Sequence, residues 1–168
     1  HFDEIYALIS KEAVANGSLS DVDAHEQAVK MPFDDLFLSQ ITSWRGDIAL
    51  DLYKHYGAID NDDLNQFTQT LLDRIIFLRV CEDRSFEDPE ELLAIQSFDE
   101  LRSLFASADE KYDSGLFAYL DDTTWKVSDY LLVGIFQDLY YPNSFYDFNV
   151  VQPHVIGHIY EQFLTERV

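Results

Sequence analysis

The segment from Leu71 to Arg84 constrains the fold more than any other, because it is apolar around nearly its whole circumference and still carries six charged side chains. On a helix of about 3.6 residues per turn, Leu71, Ile75 and Leu78 cover one side and Phe77, Val80 and Cys81 the other, so no clean solvent face remains. Such a helix belongs at the centre of a domain. Its charges then need partners: Arg79 has Glu82 at i+3 and Asp83 at i+4, and Asp73 and Arg84 fall on nearly one side, turns apart. Arg79, Glu82, Asp83 and Arg84 are the expected ionic ties, within the domain or to its neighbours.

The flanking pattern is helical as well. Phe2, Ile5, Tyr6, Ile9 and Ala13 recur at helical spacing, with Asn16-Gly17 as a stop. Residues 18–31 are polar and acidic and read as a loop or marginal helix that Pro32 ends. From Phe33, the positions Leu36, Phe37, Ile41, Trp44, Ile48, Leu52 and Tyr56 trace an amphipathic helix that stops at Gly57. Asp60 to Asp63 then offer N-caps for a helix running to Arg84. Pro89-Glu90-Glu91 suits the first turn of a short helix, and Ser97 with Glu100 forms a capping box for the next. Residues 112–124 read as an irregular excursion. Ser128 is expected to cap a helix through Tyr140, which Tyr141-Pro142-Asn143 breaks. Phe145, Phe148, Val150 and Val151 suggest one brief extended segment before Pro153 opens a last helix. The expected fold is therefore mainly α: an irregular multi-helix bundle around a central buried helix, with at most one short extended segment.

Several strings also carry a family resemblance. The run Asp73-Arg74-Ile75-Ile76-Phe77-Leu78-Arg79-Val80-Cys81-Glu82-Asp83-Arg84 resembles the helical domain that precedes the catalytic domain in adenine-N6 DNA methyltransferases of restriction-modification systems, especially fused restriction-and-modification enzymes of the Eco57I type. Tyr146 to Val151, followed by Val155 to Leu164, resembles that domain's final helix. Weaker echoes lie at Tyr112 to Phe117 and at Phe33 to Ala49, with Trp44-Arg45. The four blocks stand in the family's order over about residues 33–164. The resemblance implies one helical domain over residues 1–168, with 1–32 as N-terminal helix and connector and 33–168 as the family-like core. It further implies a longer protein in which an adjacent methyltransferase domain of the same chain, S-adenosylmethionine and DNA are the partners. The start at His1 rather than Met fits a piece of a longer polypeptide.

Composition bounds what this segment can do by itself. A length of 168 residues supports one well-packed core, and 47% hydrophobic content with only 6 Gly and 4 Pro excludes a low-complexity chain. Eleven Lys and Arg against 32 Asp and Glu leave a net charge of −21. Nucleic-acid affinity comes mostly from basic groups that displace counterions from phosphates, so this surface should repel DNA and anionic membranes alike. The single cysteine, Cys81, lies in the apolar helix and reads as a core residue of a cytoplasmic protein. No run approaches the roughly 20 apolar residues of a membrane span.

Candidate chemistry is thin. His154 and His158 stand at i and i+4 with Glu161 three positions on, but Val155 occupies the place where a metalloprotease helix has Glu, so a polar helix face is the preferred reading. The Asp60 to Asp63 run has Leu64 where a fifth-position calcium ligand belongs and Asn65 where that loop needs Gly, so helix capping is preferred. No Gly-x-Ser-x-Gly elbow, Gly-rich cofactor loop or Asn-Pro-Pro-Tyr type motif occurs, and Tyr141-Pro142-Asn143-Ser144 reads as a helix-ending turn. No catalytic, cofactor-binding or metal-binding residue is assigned. The leading reading is a structural connector of a DNA methyltransferase; the alternative is an acidic helical module that binds a basic protein, or a DNA-mimicking decoy.

Overall fold

A computed structural model describes residues 23–112, 117, 124–144 and 146–149, with side chains from Leu36 onward. Among these residues there are five helices: α1 (Asp23–Tyr56), α2 (Asn61–Asp83), α3 (Glu91–Ala94), α4 (Phe98–Tyr112) and α5 (Asp129–Asp138). They contain no strand. The chain divides into two compact units; residues 44–150 form the larger, and described residues 23–43 belong to the other. In the latter, Phe37 and Ile41 are buried and Thr42 bonds the Leu38 carbonyl one turn back.

The first helix differs from expectation. It is already helical at Asp23, so residues 23–31 take the helix rather than the loop of the two expected forms, and it runs through Pro32, which was expected to end it. A mid-helix proline loses one backbone bond and costs about 3 kcal/mol. Ala24, Glu26, Gln27, Ala28, Lys30 and Met31, all helix-favouring or tolerant, precede it. The C-terminus lies where the pattern put it: Gly57 adopts φ +74 and returns its N–H to the Tyr53 carbonyl at 2.9 Å.

Helix α2 is the centre of the larger unit. Leu71, Leu72, Ile75, Ile76, Leu78 and Val80 are all buried, and so is Arg74, at 0% exposed. The Arg74 guanidinium lies 5.4 Å from the Phe105 ring and 5.6 Å from the Phe117 ring, so aromatic faces of α4 and the following segment receive it. Asp60 starts α2 by accepting the Asp62 and Asp63 N–H groups on its side chain. The Asp60 to Asp63 run thus caps a helix, and among the described residues no group of three or more His, Cys, Asp or Glu is placed to hold a metal ion.

Two other caps are built differently from the sequence reading. Glu100 donates its N–H to Ser97 Oγ at 3.2 Å, but its carboxylate accepts the N–H of Gln96 at 2.7 Å, one residue beyond the box. Ser128 occupies the cap of α5 without a side-chain capping bond. Its hydroxyl donates instead to Asp51 Oδ1 at 2.9 Å, and its N–H donates to Asp51 Oδ2 at 2.8 Å, which joins the start of α5 to α1. Asp129, the next residue, accepts the Phe98 N–H at 2.8 Å and so caps α4 across space. Helix α5 ends at Asp138, two residues short of Tyr140. Phe148 and Asn149 form a turn, so the described part of the expected extended segment is not a strand. The expected last helix with His154, His158 and Glu161 lies outside the described residues, as do the helix expected over residues 2–13 and most of the 112–124 excursion.

Candidate functional site

The C-terminal end of α2 carries a cluster of charged side chains, part of it buried, in which several described elements meet. Arg79 is 6% exposed and Glu82 is 6% exposed. Arg79 Nη1 binds Asp83 Oδ1 one turn on and lies 3.7 Å from Glu82 Oε2. Its Nε donates to the Leu139 carbonyl at 3.3 Å, and the guanidinium sits 4.2 Å from the Tyr140 ring centre. An arginine is suited to this place because its planar fork bonds in the plane while its face stacks.

Beyond Arg79, the two carboxylates have different partners. Glu82 Oε1 accepts the Leu92 N–H at 2.9 Å and thereby fixes α3, while Oε2 accepts the Tyr140 hydroxyl at 2.5 Å. Asp83 Oδ2 accepts the Phe148 N–H at 2.8 Å, and Arg84 Nη2 donates to the Phe148 carbonyl at 3.4 Å. Arg79, Glu82, Asp83 and Arg84 therefore stand together, but their bonds run mainly to backbone and to a tyrosine beyond α5 rather than only to each other. Tyr140 and the 146–149 segment are the parts that local spacing could not reveal, since 58 residues separate Tyr140 from Glu82.

Burial raises the Glu82 carboxyl above its ordinary value; the Leu92 N–H, the Tyr140 hydroxyl and Arg79 offset this only in part. The Tyr140 phenol is also pushed up, by burial first and by its bond to Glu82 second. Because Glu82 holds its proton more tightly folded than unfolded, its contribution to stability is full below its ordinary value of 4.5 and is lost as pH rises through the higher folded value. Urea titrations of the parent and of Glu82→Gln from about pH 4.5 to neutrality should show the parent losing ground to the variant as pH rises. A difference that grows in the parent's favour would contradict the raised value.

Around this cluster opens a cleft of about 610 Å³. Glu90, Tyr141, Tyr146, Asp147 and the 8%-exposed Ser144 are among the residues that line it. The volume falls within the range of small-ligand sites, roughly 300–1,000 Å³. The other singled-out groups are quieter. Cys81 is buried and unpaired, and burial pushes its thiol up to about 11, which keeps it protonated and unreactive. Tyr141 to Ser144 form the helix-ending turn, and the Ser144 N–H returns to the Tyr140 carbonyl at 3.0 Å.

Over 99% of its length the chain is 36% identical, across 174 aligned positions, to the type II restriction enzyme and methyltransferase RM.Eco57I of Escherichia coli. The chain matches a segment of a fused restriction-modification enzyme. It spans 17% of that relative's length. No protein-family model matches the chain, and no solved structure does. The helical architecture agrees with the resemblance drawn from the four sequence blocks. Among the described residues, no helix is long and apolar enough to cross a membrane.

Proposed function

We propose that this chain is a helical connector domain of a restriction-modification DNA methyltransferase. The observation that carries the reading is the match to the fused enzyme along nearly the entire chain. The parent reaction is methyl transfer from S-adenosylmethionine to adenine N6 in DNA, in the cytoplasm, and the relative's name supports DNA cleavage by the same polypeptide. S-adenosylmethionine and DNA bind the adjacent methyltransferase domain of that polypeptide; this segment itself supplies no recognised catalytic motif. Its part is mechanical: α2 forms the strut, and the Arg79 to Arg84 cluster anchors the strut's end to α3, Tyr140 and the turn at Phe148.

A net charge of −21 supports this division of labour, because so acidic a surface is a poor grip for phosphates. The same charge favours one second reading, an acidic module that binds a basic protein. The reading frame around this segment in its source gene separates the two. A glycine-rich cofactor loop and an Asn-Pro-Pro-Tyr type motif downstream of Val168 are expected; a stop codon there would leave the acidic module as the better account.

A further inference from the structure

We propose that the outward side of α1 between Gly46 and Tyr53 is the docking face for a further domain of the same polypeptide. The inference rests on the connector reading and names the surface through which the connector is engaged. Trp44, Ile48 and Leu52 bury the inner side of this part of α1. At about 100° per residue, Gly46, Leu50 and Tyr53 stand roughly 140–160° around the helix from Ile48. Leu50 is 52% exposed and Tyr53 is 60% exposed. None of the three carries a charge, in a chain with 11 Lys and Arg and 32 Asp and Glu. Exposed positions on neighbouring helices are charged instead: Asp62 and Asp63 on α2, and Asp99, Glu100 and Glu110 on α4. A helix side that stays in water normally carries such groups.

Gly46 is an independent observation. It lies in the interior of a 34-residue helix, where glycine is disfavoured relative to alanine, yet a Cβ there would meet nothing within 4 Å. No described neighbour requires the missing side chain. A glycine does let another backbone approach closely, and Leu50 and Tyr53 stand one and two turns beyond that notch.

Size and charge decide the occupant. Leu50 and Tyr53 together expose roughly 200 Å², against about 800 Å² per partner in a standard stable interface. That is too little for a separate protein, and a second copy would bring a further net charge of −21. A tethered domain needs less contact, because linkage through a short connection supplies an effective concentration of about millimolar. The chain matches 17% of the length of its fused relative, which supports a longer polypeptide that contains such a domain.

The test uses the polypeptide encoded by the complete reading frame, carrying Tyr53→p-benzoylphenylalanine, a ring-for-ring change at an exposed position. After irradiation and digestion, the cross-linked peptides are mapped. A cross-link from position 53 to a peptide outside residues 1–168 is expected. Gly46→Leu, which fills the notch, should cut its yield about five-fold or more, whereas Gly134→Leu, at another glycine with nothing within 4 Å of its Cβ, should change it less than about two-fold. A cross-link confined to residues 1–168, an adduct of two copies, no cross-link, or equal loss in both glycine variants would overturn the proposal. Any of these in a polypeptide that methylates adenine overturns the docking face alone. A reading frame that encodes no further domain overturns the connector reading together with it.

Discussion

Arg79→Ala is expected to lower stability by about 3–5 kcal/mol, the cost of removing one partner from a buried ion pair. The effect is large because three things are lost together. The 6%-exposed Glu82 and the part-buried Asp83 remain beside a missing cation, the Leu139 carbonyl loses its Nε donor, and the Tyr140 ring loses the guanidinium stacked 4.2 Å above it. For a domain of this size the change corresponds to roughly 6–20 °C in Tm, readable by thermal unfolding followed in far-UV circular dichroism. Arg79→Lys should recover only part of the loss, because an ammonium keeps the charge but not the fork or the stacking face. A variant Arg79→Ala that melts with the parent would show that the cluster at the end of α2 contributes nothing to the fold.

Phe67→Ala is the second large effect, with an expected loss of about 3–5 kcal/mol. Phe67 is 2% exposed near the start of α2, with the Trp125 ring edge-on at 5.7 Å and the Phe98 ring stacked at 6.5 Å. Its ring joins α2 to the first residue of α4 and to the segment that leads into α5. Truncation leaves a cavity flanked by two large rings that cannot collapse inward without leaving their own contacts. Urea denaturation should show a lower midpoint with an unchanged slope. A loss below about 1 kcal/mol would mean that these rings repack freely, contrary to the close packing described.

Much of the helical skeleton was legible because its signals are local. The all-round apolar pattern of Leu71 to Arg84 requires burial wherever the helix sits, and Asp60 and Gly57 terminate helices through bonds to residues two to four positions away. The i+3 and i+4 pairing of Arg79 with Glu82 and Asp83 is local too. What was not legible depends on long-range closure. Ser128 looks like a side-chain cap until Asp51, 77 residues earlier, takes its hydroxyl. The cleft is made by joining the end of α2 to Tyr140 and Phe148, which lie 58 and 65 residues from their carboxylate partners. No spacing rule reaches that far. Pro32 misled for another reason: its local cost is real, but the helix, rich in helix formers ahead of the proline, runs on through it.

The most direct test of the connector account is a methylation assay on the polypeptide encoded by the complete reading frame that contains this chain. Purified polypeptide, duplex DNA and methyl-labelled S-adenosylmethionine would be combined, and the DNA digested to nucleosides. The account predicts label in N6-methyladenine, and a marked loss of that label at elevated temperature when Arg79→Ala is introduced. Label in no base, or only in cytosine, would contradict it.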